Sequence, residues 1–247
     1  MIKTKEAKEL GQNITALLAQ NQIEPAYKML APVLAQRTKF AMLRHIGDIV
    51  GLEAIAPVNQ FLNRIATDQT EGGWVVIASA LEQQLARDLA GALGRCRHYI
   101  IVANVWYGAD SLGEGVPGRA LVAHFEPSLA ILKSWREDEN AWVRRVVGVG
   151  VHYWAKRSQG RPELQPQAEQ LLALLEPMFD EWQIDAVKGI GWGLKTLGRN
   201  YPDLVADWLA GQVIPGRRPY RTVMLRKALT YLSEAQRELV IRANASR

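Results

Sequence analysis

Amphipathic stretches of about 12 to 18 residues, with the apolar spacing of a helix, follow one another from end to end of the 247-residue chain. They run over 5–20, 24–36, 38–50, 54–67, 73–90, 93–107, 119–134, 140–157, 165–179, 183–199, 202–211, 219–231 and 234–244. None alternates with period two for more than a few residues, so strands are not expected and the chain reads as all-α. The breaks carry helix punctuation: Pro25, Pro32 and Pro57 near starts, then Gly51, Gly72-Gly73, Gly160 to Pro162, Pro202 and Pro215-Gly216. Many short helices joined in pairs by tight turns describe a helical-repeat array, an α-solenoid whose repeats have diverged. Such an array offers a concave binding surface, and a compact helical bundle is the competing architecture.

One stretch constrains the interior, Asn140-Ala-Trp-Val-Arg-Arg-Val-Val-Gly-Val-Gly-Val-His-Tyr-Trp-Ala-Lys156. On a helix Trp142, Val146, Val149 and Tyr153 share a face, with Val143, Val147 and Trp154 beside it, so the helix packs on both flanks. Asn140 is the expected N-cap. Arg144 and Arg145 point about 100° apart and cannot both reach solvent. One of them needs an anionic partner, either a carboxylate of the protein or a phosphate, since the planar guanidinium fits both.

Cys96 is the sole cysteine, and His45, His98, His124 and His152 show no ligand spacing, so neither a metal site nor a cofactor is expected. No apolar run reaches the ~18 residues of a membrane span, and Met1 to Lys8 is too polar and acidic for a signal peptide. A soluble cytoplasmic protein is the expectation. The net charge of +5 is unevenly placed. Residues 1–132 hold 12 Lys and Arg against 12 Asp and Glu, whereas 186–227 hold 8 against 2. A surplus so localised suits nucleic acid or another polyanion.

Glycine-rich Gly108 to Gly118 has the composition of a flexible loop and matches no phosphate-binding or dinucleotide motif. Gly189-Ile-Gly-Trp-Gly193 reads as a helix face stripped for close approach. Trp106 and Asp110 are four apart, and share a face if a helix runs through Gly108. A carboxylate beside an indole can stabilise positive charge through both the ion and the ring face. Trp192 has Lys188, Lys195 and Arg199 at helical spacing around it.

The segments Trp106-Tyr-Gly-Ala-Asp110, Asn140-Ala-Trp-Val-Arg-Arg145 and Gly189-Ile-Gly-Trp192-Gly-Leu-Lys195, then Asn200-Tyr-Pro202, resemble the AlkD-like alkylpurine DNA glycosylases over roughly residues 95–240. The resemblance implies one domain of HEAT-like repeats over 1–247, with residues 1–92 as divergent N-terminal helices and 93–244 as the family-like part. Residues 157–168 read as an enlarged connection. It implies Trp106, Asp110, Arg145 and Trp192 as the active site, and a monomer acting on double-stranded DNA with N3- or N7-alkylated purines, without a base-flipping pocket. Arg145 would hold a phosphate, and Lys188, Lys195, Arg199, Arg221 and Arg226 would hold flanking ones. The alternatives are a non-catalytic helical-repeat module that binds DNA or another polyanion through 186–227, and a protein-protein scaffold.

Overall fold

The computed structural model describes residues 2–212 and 219–245, and every regular element among them is helical. They fall into two compact units, Met1–Val116 and Pro117–Arg247. The first unit contains α1 (Thr4–Leu18), α2 (Ile23–Leu34), α3 (Phe40–Val50), α4 (Ile55–Ala66), α5 (Glu71–Gln84), α6 (Leu89–Ala103) and α7 (Trp106–Gly113). The second contains α8 (Arg119–Ala123), α9 (Phe125–Trp135), α10 (Ala141–Ser158), α11 (Gln165–Leu175), α12 (Ile184–Asn200), α13 (Pro202–Gly211), α14 (Pro219–Ala228) and α15 (Glu234–Ala245). The Pro215-Gly216 break lies outside the described residues. No described helix is long and apolar enough to cross a membrane.

The all-α expectation holds, and the segment between Tyr99 and Gly118 corrects it in detail. The helix expected over 93–107 stops at Ala103, where Asn104 turns left-handed with φ 46° and its N–H donates to the carbonyl of Ile100. A new helix, α7, then starts at Trp106, and a π-helical turn over Glu114–Gly118 continues it. Gly108 and Gly115 serve packing rather than flexibility. A Cβ on Gly108 would lie 2.7 Å from Ala103 Cβ and 3.3 Å from the buried Trp74 ring, and one on Gly115 would lie 2.8 Å from Ala78 Cβ.

In the first unit α5 is buried from Gly73 to Leu81 and supports its neighbours. Gly47 of α3 and Gly51 at its C-terminal cap let that helix approach the α5 backbone at Val76 and Ala80. In the second unit α10 holds the corresponding place. Asn140 caps it as expected, its side chain accepting from the N–H groups of Trp142 and Val143 at 2.9 and 3.4 Å. Residues Arg145 to Ala155 of α10 are then buried without interruption.

Alpha-helix α12 meets α10 backbone to backbone. The Cβ position of Gly148 falls on the Gly189 carbonyl carbon and the Ile190 nitrogen, and that of Gly193 falls 2.7 Å from the Gly148 oxygen. The expectation that Gly189 to Gly193 is a face stripped for close approach is met in this contact.

Gly148→Ala should therefore cost about 1–3 kcal/mol, because main chain must move to admit the methyl. Gly94→Ala, on the exposed face of α6 with nothing within 4 Å of its Cβ, should instead be neutral or stabilise by up to about 1 kcal/mol. Urea unfolding of both variants checks the pair, and equal effects would refute the packing role given to Gly148.

Candidate active site

Within the first unit, Trp106 and Asp110 lie one turn apart on α7, whose path through Gly108 is unbroken. The Trp106 indole is 57% exposed, large for an apolar ring, and it stands edge-on to Tyr107 with centroids 5.6 Å apart. Asp110 is half-buried. The helix that carries them rests on Trp74 and Ala103, so the pair has a rigid base.

Within the second unit, the two adjacent arginines separate as their geometry requires. Arg144 forms a fork with Glu181, Nε to Oε2 at 2.6 Å and Nη2 to Oε1 at 3.2 Å, and also donates to the carbonyls of Asp138 and Glu139. Burial would raise the Glu181 carboxyl, but the hydrogen bonds from Arg144 and from the Gln183 and Trp182 N–H groups hold it below its ordinary value. Arg144 is thus a structural ion pair. Arg145 is only 7% exposed, and donates from Nη1 to the carbonyl of Asp185 in the first turn of α12 at 2.9 Å. Its stem passes over Gly189, where a Cβ would lie 2.6 Å from Arg145 Cγ.

Two turns further along α10 the same face reaches His152, which sequence reasoning left unassigned. Its ring stacks on Trp192 with centroids 3.9 Å apart and planes at 23°. The Thr196 hydroxyl donates to the carbonyl of Trp192 at 3.1 Å, so it accepts from His152 Nδ1–H at 2.7 Å. Burial, followed by the nearby Lys156 charge, lowers the His152 pKa to about 4, and the ring under Trp192 is neutral at physiological pH. Trp192 is therefore held from behind by a neutral aromatic partner. A signal for it was present: Arg145, Gly148 and His152 follow helical spacing on α10, as Gly189, Trp192 and Thr196 do on α12.

Lys188, Trp192, Lys195 and Arg199 form one stripe on the accessible side of α12. Lys195 and Arg199 lie 5.2 and 5.4 Å from the Tyr231 ring, and Lys188 is 3.6 Å from Asp185. Arg226 is exposed on α14. Arg221 differs from these expected phosphate ligands. It is 8% exposed, paired with Asp180 at 2.7 Å and set over the Phe179 ring, so it serves the fold and is withdrawn from the phosphate set. Sequence reasoning missed Lys227, a half-buried neighbour of the stripe, because a lysine beside Arg226 looks like one more surface charge. Cys96 is fully buried and gives its weak hydrogen bond to the Leu112 carbonyl at 3.8 Å; burial pushes its thiol far up, which removes it as a nucleophile.

A family model described as DNA alkylation repair enzyme matches residues 63–232. The chain belongs to that family. The match takes in α7, α10 and α12 together, and begins some thirty residues before the stretch where the motifs carry the resemblance. Two solved structures have a similar fold. One is smu.31 from Streptococcus mutans UA159, at 12% identity and TM-score 0.52, covering 91% of this chain and all of that one. The other is the Pseudomonas fluorescens alkylpurine DNA glycosylase AlkC bound to DNA containing an abasic site analog, at 16% identity and TM-score 0.57. That alignment covers 90% of this chain and 62% of the AlkC chain. No curated protein matches in sequence. At these identities the solved structures establish the helical-repeat fold of the family member.

The His152 stack has a pH signature. Between its ordinary pKa of 6.5 and about 4, the unfolded chain binds a proton that the folded chain does not, so stability falls as pH drops through that window. The loss should approach roughly 3 kcal/mol at the acid end. His152→Gln should flatten the decline in Tm between pH 6.5 and 4, and an unchanged decline would assign it to other groups.

Proposed function

We propose that the chain is a DNA glycosylase that hydrolyses the N-glycosidic bond of cationic N3- and N7-alkylated purines in double-stranded DNA. The observation that carries this is the contrast between α7 and α12: a half-buried carboxylate with an exposed indole on one, a basic stripe centred on a backed indole on the other. A polyanion-binding surface gains nothing from a carboxylate in its family motif unless that carboxylate has a task.

Alkylation at N3 or N7 makes the purine cationic and already a good leaving group, so little is asked of a general acid. The difficult partner is the sugar, which gains oxocarbenium character as the C1′–N bond lengthens. Asp110 stabilises that charge and orients or deprotonates the attacking water; the products are the free base and an abasic site. Trp106 and Trp192 offer ring faces to the deoxyribose, each adding about 1–2 kcal/mol of cation-π attraction where water is excluded. Arg145 holds a backbone phosphate, and Lys188, Lys195, Arg199 and Arg226 hold flanking ones. Selectivity comes from the lability of the cationic base rather than from a base-reading pocket, and the protein acts as a cytoplasmic monomer without a cofactor.

The decisive assay is release of free base from a duplex carrying one N7-methylguanine, above the spontaneous rate. Wild type should release it. Asp110→Asn should lose at least about 100-fold in rate while binding the duplex with little change, the scale expected when a positioned carboxylate is neutralised. Excision by Asp110→Asn at the wild-type rate would sink the assignment. Salt-dependent binding with no release by either protein would favour the non-catalytic module, for which the basic stripe alone suffices.

A further inference from the structure

We propose that Lys227 is the central ligand of a DNA backbone phosphate beside the nucleotide that Trp192 contacts, and that Gly191 exists to seat it. The inference rests on the DNA-acting reading above and adds a residue that the family motifs do not contain.

The placement is unusual for a surface lysine. Its stem lies flat on α12, where a Cβ on Gly191 would be 2.6 Å from Lys227 Cδ and 3.4 Å from its Cβ. Its ammonium points along α12 to the carbonyl of Lys188, one turn before Trp192, at 3.5 Å. A lysine kept for solubility extends into water and away from like charge, whereas this one is folded inward among cations. Burial lowers its pKa, and the fields of Lys195, Arg145, Lys188 and Arg226 lower it further, in that order. Among the described residues no carboxylate pairs with Lys227, Lys195 or Arg226. Arg144 and Arg221 show what this chain does with arginines that serve its fold: each is matched to a carboxylate within 2.7 Å.

Lys227, Lys195 and Arg226 thus act on one another without a carboxylate of their own; like charges so placed are mutually destabilising, and the energy is recovered when an anion enters. A phosphate oxygen is the fitting occupant. The ammonium offers tetrahedral donors as a point charge to an acceptor-only group, and the neighbouring cations meet the adjoining non-bridging oxygens. The ammonium sits at the Lys188 carbonyl, one helical turn before Trp192, and this places the phosphate beside the nucleotide whose sugar meets that indole.

The experiment compares wild type, Lys227→Met and Lys227→Arg for binding to a duplex containing a tetrahydrofuran abasic analogue across a range of salt. Methionine keeps the stem on Gly191 and removes the charge, and thermal unfolding should show it folded. Its slope of log K against log salt should be shallower by roughly 0.9, one phosphate contact, and Lys227→Arg should keep the wild-type slope. A wild-type slope in a folded Lys227→Met protein would overturn the proposal. Inorganic phosphate, compared with chloride at equal ionic strength, should displace DNA no better; stronger displacement would mean a free phosphate site and overturn the DNA assignment. Base release by the wild type is measured alongside. A shallower slope without release would sink the glycosylase reading and leave the phosphate ligand standing, while release with an unchanged slope would sink Lys227 alone.

Discussion

The backbone contact between α10 and α12 is the constraint on which the second unit depends. Helices with ordinary side chains pack with axes about 8–10 Å apart. Here Gly148, Gly189 and Gly193 remove the intervening atoms, and main chain meets main chain. Closeness of this kind has two consequences. It brings the Arg145 guanidinium within reach of the Asp185 carbonyl, and it brings the His152 ring to stacking distance from Trp192. Neither contact would survive separation of the two helices by the width of a methyl group. The glycines that look like weak points in a helix sequence are what hold the functional side chains in place.

The same contact explains which part of the site was legible in the sequence. Asn140, Arg145 and Trp192 belong to motif segments, and helical spacing alone put Trp192 in the basic stripe with Lys188, Lys195 and Arg199. Lys227 was not legible and His152 only in part, because their roles depend on a neighbour in another helix: spacing put His152 on the face of Arg145 and Gly148 without showing what it meets. A lone histidine in an apolar helix is most often a satisfied core residue, and only the stack on Trp192 sets this one apart. Gly191 carries information only in relation to Lys227, 36 residues further along the chain.

Composition misled where it was trusted most. Four glycines between Gly108 and Gly118 suggested a loop, since glycine is conformationally costly in helices. Tertiary packing overrode that preference: Gly108 and Gly115 face Trp74 and Ala78 of α5, and the backbone stays helical through a π turn. The outcome matters for chemistry, because helicity through Gly108 keeps Trp106 and Asp110 on a common face. The true break is two residues earlier than Trp106, at Asn104, whose tolerance of a left-handed conformation is a property of its short amide side chain.

Charge is where sequence and structure differ most in what they can tell. The surplus over 186–227 counts every cation alike, yet the fold divides them by partner. Arg221 is neutralised by Asp180, as Arg144 outside that stretch is by the buried Glu181, and these pairs add little to the field that an approaching polyanion meets. Lys195, Arg199 and Lys227 are held instead by an aromatic ring or by helix backbone, which position a cation without cancelling it. A cation that keeps its charge while losing its freedom is pre-organised for an anion, since the entropy of ordering it is lost in folding rather than in binding.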